Sequence, residues 1–219
     1  AGRPNLSEQE ALKEFWRIKT KRLLILIGIL AAVVIMFVVA MMVGPIRVSA
    51  LEIAQTYLGM DVPRSTRTVV MDLRTPPALM AVVVGAALAL AGAQMQTILD
   101  NPLAEPYTLG VSAAAGCGAA IVIATGLSFP VFSEASVAIG AALFALLASG
   151  VIALVSRLRR SGRETIILLG IALVFGFQAL LMLLQYRATQ ESLQRMVFWT
   201  MGSLERATWF SICLVAVAL

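Results

Sequence analysis

Residues 23–43 read Leu-Leu-Ile-Leu-Ile-Gly-Ile-Leu-Ala-Ala-Val-Val-Ile-Met-Phe-Val-Val-Ala-Met-Met-Val, a run of 21 without a polar side chain. As a helix rising 1.5 Å per residue, such a run is about 31 Å long, which matches a hydrocarbon core of about 30 Å. It exceeds the roughly 7–15 residues of a secretory signal's apolar region. Although Val48-Ser49-Ala50 resembles a cleavage site, the run reads as a span that is retained. Directly before it stands Arg17-Ile18-Lys19-Thr20-Lys21-Arg22, and a basic cluster in that place marks the cytoplasmic end of a span.

Outward from this run the pattern repeats. Apolar windows near the spanning length of about 20 residues cover residues 76–99, 108–125, 133–155, 165–185 and 207–219. The expected fold is therefore all-α, a polytopic membrane protein with six transmembrane helices. Residues 1–22 are expected to form a cytoplasmic lead-in helix, opened by the capping-box pattern Ser7-Glu8-Gln9-Glu10. Residues 23–219 would be the transmembrane domain. The sixth window is still apolar at Leu219, and the chain starts at Ala1 rather than Met, so the natural chain is expected to extend further at both ends.

A second basic cluster, Arg157, Arg159, Arg160 and Arg163, follows the fourth window. Counting spans from a cytoplasmic amino terminus puts it on the cytoplasmic side, in agreement with the first cluster. Seven arginines fall on the other side: Arg47, Arg64, Arg67, Arg74, Arg187, Arg195 and Arg206. The expected location is the cytoplasmic membrane, with lipid as the surrounding partner. Between the first two spans, residues 49–60 place Leu51, Ala54, Tyr57 and Leu58 at helical spacing, as suits a short helix in the membrane interface.

Composition excludes several classes of function. Hydrophobic residues make up 60% of the chain, charged residues 13%, and mean hydropathy is +0.91, whereas soluble domains carry about 25% charged residues. The net charge of +5 is spent on the clusters that set topology, so nucleic acid is not an expected partner. There is no histidine, the commonest general base and metal ligand. Cys117 and Cys213 lie inside apolar runs and read as small hydrophobes. Lys13, Lys19 and Lys21 are the only lysines, and none follows a glycine, so no P-loop exists to hold ATP. No catalytic residue, metal or cofactor is implied, and the chain is not expected to be an enzyme.

The spans also carry almost none of the Asp, Glu or His that ion-coupled carriers use. Their polar groups are Gln94, Gln96 and Thr97 in the second, Ser112 in the third and Gln178 in the fifth. What remains is a conduit driven by another subunit, with a secondary transporter or channel subunit as the alternative, and a membrane anchor without a conduit as a third. Small residues at Gly85-Ala86-Ala87 and Ala113-Ala114-Ala115-Gly116, with Gly118, indicate closely packed helices.

The most unusual connection is Asn101-Pro102-Leu103-Ala104-Glu105-Pro106. Its prolines break helix and hold Asn101 out of helical geometry. Residues alone read it as a stiff hairpin. With Arg74-Thr75-Pro76, Val84-Gly85-Ala86-Ala87-Leu88-Ala89-Leu90-Ala91-Gly92-Ala93, Gln96 and Leu109-Gly110-Val111-Ser112, it resembles the permease family of iron-siderophore, haem and vitamin B12 ABC importers, the FecCD type. Leu169-Gly170-Ile171-Ala172-Leu173 and Phe198-Trp199-Thr200-Met201-Gly202-Ser203-Leu204 resemble later segments of that family, in the same order.

The resemblance implies a ten-helix permease, of which this chain would be the first six spans. It implies a second permease copy or paralogue in a dimer, two cytoplasmic ATPase subunits and an extracytoplasmic substrate-binding protein. It places Asn101 and Leu103, with Arg163, Glu164 and Thr165, at a cytoplasmic gate near the twofold axis. It places Arg74 at the docking site for the binding protein. The family's second arginine there is replaced by Pro77, which leaves Arg64, Arg67, Arg195 and Arg206 as the other arginines that could share that role.

Overall fold

The structure, a computed structural model, describes residues 8–102, 104–127, 135–159 and 162–219. In chain order the helices are α1 (Glu8–Met42), α2 (Ala50–Tyr57), α3 (Arg64–Thr68), a π-helical turn (Val69–Arg74), α4 (Thr75–Leu99), α5 (Val111–Thr125), α6 (Ser136–Arg159), α7 (Arg163–Arg187), α8 (Gln190–Met201) and α9 (Trp209–Ala218). No strand occurs among the described residues. They divide into two compact units: the residues up to Val83 with Leu204–Leu219, and those within Val84–Ser203. Among the described residues four helical segments are long and apolar enough to cross a membrane: Glu10–Met42, Arg64–Leu99, Ser136–Arg157 and Glu164–Arg187. α5, with 15 residues, and α9, with 10, are shorter.

In the first unit, α1 runs unbroken for 35 residues, so the polar lead-in and the first apolar run form one helix. Ser7, the expected cap, lies outside the described residues. α1 is exposed until its end, where Phe37 and Met41 join Val48, Ile53, Val69 and Val70 in a buried cluster. α2 begins at a capping box that the sequence reading did not single out. Ser49 Oγ accepts from the Glu52 N–H at 3.2 Å, and the Ser49 N–H donates to Glu52 Oε2 at 2.8 Å. The bond from the Ser49 N–H, with a second from the Ser49 hydroxyl, holds the Glu52 carboxyl below its ordinary value. Ile53 and Thr56 face the cluster, while Leu51, Ala54 and Leu58 point outward. Tyr57, the fourth residue of the expected stripe, is exposed as well, but its hydroxyl reaches Thr75.

The second span differs from expectation in where it starts. The helix does not open at Pro76; it begins at Arg64 and continues through the π-helical turn into α4. Proline is favoured in a first helical turn, which is why Pro76-Pro77 reads as a start. Inside a helix the same residues remove two N–H donors, and the ladder must loosen around them. Here it widens to i→i+5 bonding, and the Thr75 N–H reaches Val70 O. The Thr75 hydroxyl donates to the same carbonyl at 2.6 Å, and Tyr57 OH then donates to Thr75 Oγ1 at 2.6 Å. Thr75 and Pro76 are fully buried.

In the second unit, α5 is the buried centre, flanked by α6, α7 and α8. Backbones meet at its crossing with α6. A Cβ on Gly118 would lie 2.4 Å from Gly140 O, and one on Gly140 would lie 2.4 Å from Val122 Cγ2. Ala120, Ile123 and Met196 bring α8 onto α5, with Leu181, Leu184 and Trp199 around them. The small-residue reading thus holds for α5. On α4 the two small stretches differ: a Cβ on Gly85 meets nothing within 4 Å, whereas one on Gly92, in Ala91-Gly92-Ala93, would lie 4.0 Å from Pro106 Cδ.

Gly118→Ala therefore forces two backbones apart, at an expected cost of about 1–3 kcal/mol, as for other overpacked sites. The detergent-solubilised protein should unfold at a lower temperature with this change and not with Gly85→Ala. Equal stability of both variants would contradict the described crossing.

Candidate functional site

α4 ends where Asp100 adopts a left-handed conformation, φ 47°, and the Asn101 N–H reaches back to Gln96 O at 3.1 Å. This is the six-to-one bond of a Schellman cap, with Asp in the position glycine usually takes. The chain then turns on Asn101, whose carbonyl accepts from the Ala104 N–H at 3.1 Å. Glu105 O accepts from both the N–H and the hydroxyl of Thr108, at 3.1 and 2.7 Å. Ala104 and Leu109 are buried with Leu99, against Ile152 of α6 and Ile166 and Ile167 of α7. The proline-rich connection is therefore seated on the bundle and is not a free hairpin.

One face of α7 holds it there. Gly170, Val174 and Gln178 stand four residues apart and so share a stripe. A Cβ on Gly170 would lie 2.7 Å from Thr108 O and 2.9 Å from Leu109 Cα. Gly110, with φ 78°, approaches as closely, since its Cβ would lie 2.8 Å from Leu173 Cβ and 3.0 Å from Val174 N. One step further along, Gln178 Nε2 donates to Tyr107 OH at 3.1 Å. Beside these contacts lies a cavity of about 300 Å³ lined by Met95, Leu109, Ile152 and Ile166, with the Ser149 and Ser156 side chains on its wall.

Of the five residues assigned to a gate, Asn101 is half-buried at the turn, and Glu164 and Thr165 are exposed in the first turn of α7. Arg163 is the first residue of α7, and Leu103 lies outside the described residues. The structure brings the Asn101 connection to the start of α7, since Ile166 and Ile167 directly follow Thr165. Sequence reasoning missed the contacts that fix it. Gln178 was visible as a lone amide in an apolar span, and such a group needs a partner; Tyr107 as that partner was not foreseeable.

Arg74 ends the π-helical turn and is half-buried. Its Nη1 donates to Met41 O at 2.5 Å and its Nη2 donates to Ile46 O. Met41 belongs to the last turn of α1, where carbonyls lack intrahelical donors and the dipole is negative. A fixed guanidinium supplies both the hydrogens and the positive charge. Gly44 makes room for it, because a Cβ there would lie 2.6 Å from Nη2. Arg74 also borders a cavity of about 620 Å³, together with Pro77, Leu204 and Glu205. Arg64, Arg67, Arg195 and Arg206 are exposed. Among the described residues no group of three or more His, Cys, Asp or Glu side chains could hold a metal ion.

Known proteins resemble this chain over nearly its whole length. The sequence profile of the FecCD transport family matches residues 24–219. An ABC transporter permease protein of Methanocaldococcus jannaschii is 34% identical over 93% of this chain and 61% of its own. The vitamin B12 import permease BtuC of Vibrio cholerae is 35% identical over 68% of this chain and 44% of its own. A solved metal-chelate type ABC transporter in an inward-facing conformation superposes with a TM-score of 0.71 at 30% identity, covering 86% of this chain and 56% of that one. The chain thus spans about half the length of the proteins it matches.

The Arg74 arrangement has a measurable signature. Hydrogen bonds from a charged donor contribute about 1.5–3 kcal/mol, so Arg74→Ala should lower the unfolding temperature in detergent. Gly44→Ala should do so by displacing the same guanidinium. Since both remove one interaction, the double variant should be no less stable than Arg74→Ala alone. Additive losses would show that Gly44 and Arg74 act separately.

Proposed function

This chain belongs to the FecCD transport family, and on that premise we propose that it forms the membrane-spanning permease of an ABC importer. It would contribute six spans of a ten-helix subunit, with its amino terminus in the cytoplasm. The cargo class is an iron chelate, haem or a cobalamin-like molecule, carried across the cytoplasmic membrane. A second permease copy or paralogue, cytoplasmic ATPase subunits and an extracytoplasmic binding protein complete the machine. The observation that carries this reading is the family match from residue 24 to 219, which includes the proline-rich connection packed on α7. The residues of this chain include no P-loop, which supports leaving ATP hydrolysis to the partner subunits.

We place Asn101, Leu103, Arg163, Glu164 and Thr165 at the cytoplasmic gate. Support comes from Ala104 and Leu109, which pack against Ile166 and Ile167 and so bring the two segments of this group side by side. Arg74 is proposed as a docking residue for the binding protein. Its two carbonyl bonds occupy one hydrogen on each Nη. The remaining N–H groups and the full charge stay available for a carboxylate, and a guanidinium already held in place loses less freedom on binding.

The full-length protein, reconstituted with its ATPase and binding protein, should accumulate a ferric siderophore, haem or cobalamin only when ATP is supplied. Uptake that persists without the ATPase would overturn the importer reading. Cysteine pairs at Leu103 or Thr165 of two copies should crosslink in at least one nucleotide state, and no crosslink in any state would remove these residues from the gate. Arg74→Glu should weaken binding-protein association at least tenfold, roughly the strength of a charge-assisted bond. An acidic-to-basic change on the binding protein should partly restore it. If Gly44→Ala, which keeps the charge, reduces association as much and no partner change rescues Arg74→Glu, Arg74 acts on the fold alone.

A further inference from the structure

The part of α1 that precedes residue 23 carries its charges in a segregated order. Glu8, Glu10 and Glu14 stand in its outer half, and Arg17, Lys19, Lys21 and Arg22 in the half next to the apolar run. Lys13, Arg17 and Lys21 recur every four residues and form one stripe. Every side chain from Lys13 to Arg22 is exposed, and the packing of α1 lies at its other end, at Phe37 and Met41. Aromatic rings interleave with the cations. Trp16 is 55% exposed, Lys19 Nζ sits 5.0 Å from the centre of its ring, and Phe15 meets it edge-on at 6.0 Å.

We infer that this basic collar binds the headgroups of anionic phospholipids. At 1.5 Å per residue, Arg22, Lys21 and Lys19 lie within about 6 Å of residue 23 along the helix axis. That is about the depth of one headgroup layer, the difference between a bilayer of 40–45 Å and a core of about 30 Å shared over two faces. Arg17 is less than one turn further out and carries a stem long enough to reach back. The collar is exposed on all sides at the depth where headgroups lie, and four cations there favour negative lipid. The glutamates further out are repelled by the same surface, which holds the helix upright and keeps the cations level with the phosphates. Trp16, amphipathic and stacked with Lys19, suits the outer edge of that layer. The inference stands apart from the transport reading, because it uses only α1 and its surroundings.

The test uses the full-length protein in nanodiscs of equal phosphatidylcholine and phosphatidylglycerol, with retained lipid counted by native mass spectrometry. Each juxtamembrane cation contributes about fivefold to attraction by an anionic surface, so phosphatidylglycerol should be retained at least about tenfold over phosphatidylcholine. Arg17→Gln, Lys19→Gln, Lys21→Gln and Arg22→Gln together should abolish the preference. Because neutralising a topology signal can disturb insertion, Lys19→Arg with Lys21→Arg serves as the charge-preserving partner and should keep it. In a variant whose only tryptophan is Trp16, emission should shift when phosphatidylglycerol replaces phosphatidylcholine and shift back in high salt. Equal retention of both lipids by the unaltered protein overturns the proposal. So does a preference that survives in the four-glutamine variant, since the lipid is then held elsewhere.

Discussion

Hydrocarbon offers no hydrogen-bond partner, so each backbone N–H and C=O that enters it must be paired by the chain itself. Long helices meet this along their length and leave the problem at their ends and at prolines. Three such places among the described residues each have their own local answer. The end of α4 is closed by its own backbone, through Asp100 and the Asn101 N–H. The two prolines of α4 are absorbed by a wider turn that Thr75 closes twice on Val70 O. The end of α1 is closed from outside the helix, by Arg74. Where the chain buries polar side chains, the same accounting holds: no described buried side-chain N or O lacks a partner.

The same economy shapes the candidate site. A proline-rich connection supplies few donors of its own and can be kept at depth only if it is held by neighbours. Glycines at 110 and 170 let backbone meet backbone, and the Tyr107–Gln178 bond closes the far end of the contact. Such close approach leaves no side chain between the surfaces to slide or repack. Residues 104–110 and the middle of α7 therefore behave as one piece, and displacement of one carries the other. Asn101 and the first turn of α7 both adjoin that piece, through Ala104 on one side and Ile166 and Ile167 on the other.

Much of the fold was legible because a span is recognised by composition over about 20 residues, which does not depend on tertiary contacts. The windows at 133–155 and 165–185 overlap α6 and α7 closely. What failed was local. Pro76-Pro77 signals a helix start in most sequences, and only the π-helical turn shows that the helix passes through it. Ser49 and Glu52 fit the capping-box spacing as well as Ser7 and Glu10 do, yet went unread inside a stretch taken as polar connection. The site was legible in part through family resemblance, which singled out residues 101–106 and Arg74. The physical partners of those residues were not legible. Arg74 binds main-chain carbonyls, and a carbonyl carries no trace of side-chain identity.

The Arg74 bond to Met41 O joins residues 33 positions apart, and this sets an order of events during synthesis. α1 is complete, with its last carbonyls exposed, well before residue 74 has been made. At 5–20 residues per second the interval is about 2–7 s. Until then Met41 O is without the donor that pairs it in the folded chain, and water or lipid headgroups can serve in its place. The bond that ties the end of the first helix to the second can therefore form only once Arg74, two residues before Pro76-Pro77, has been added.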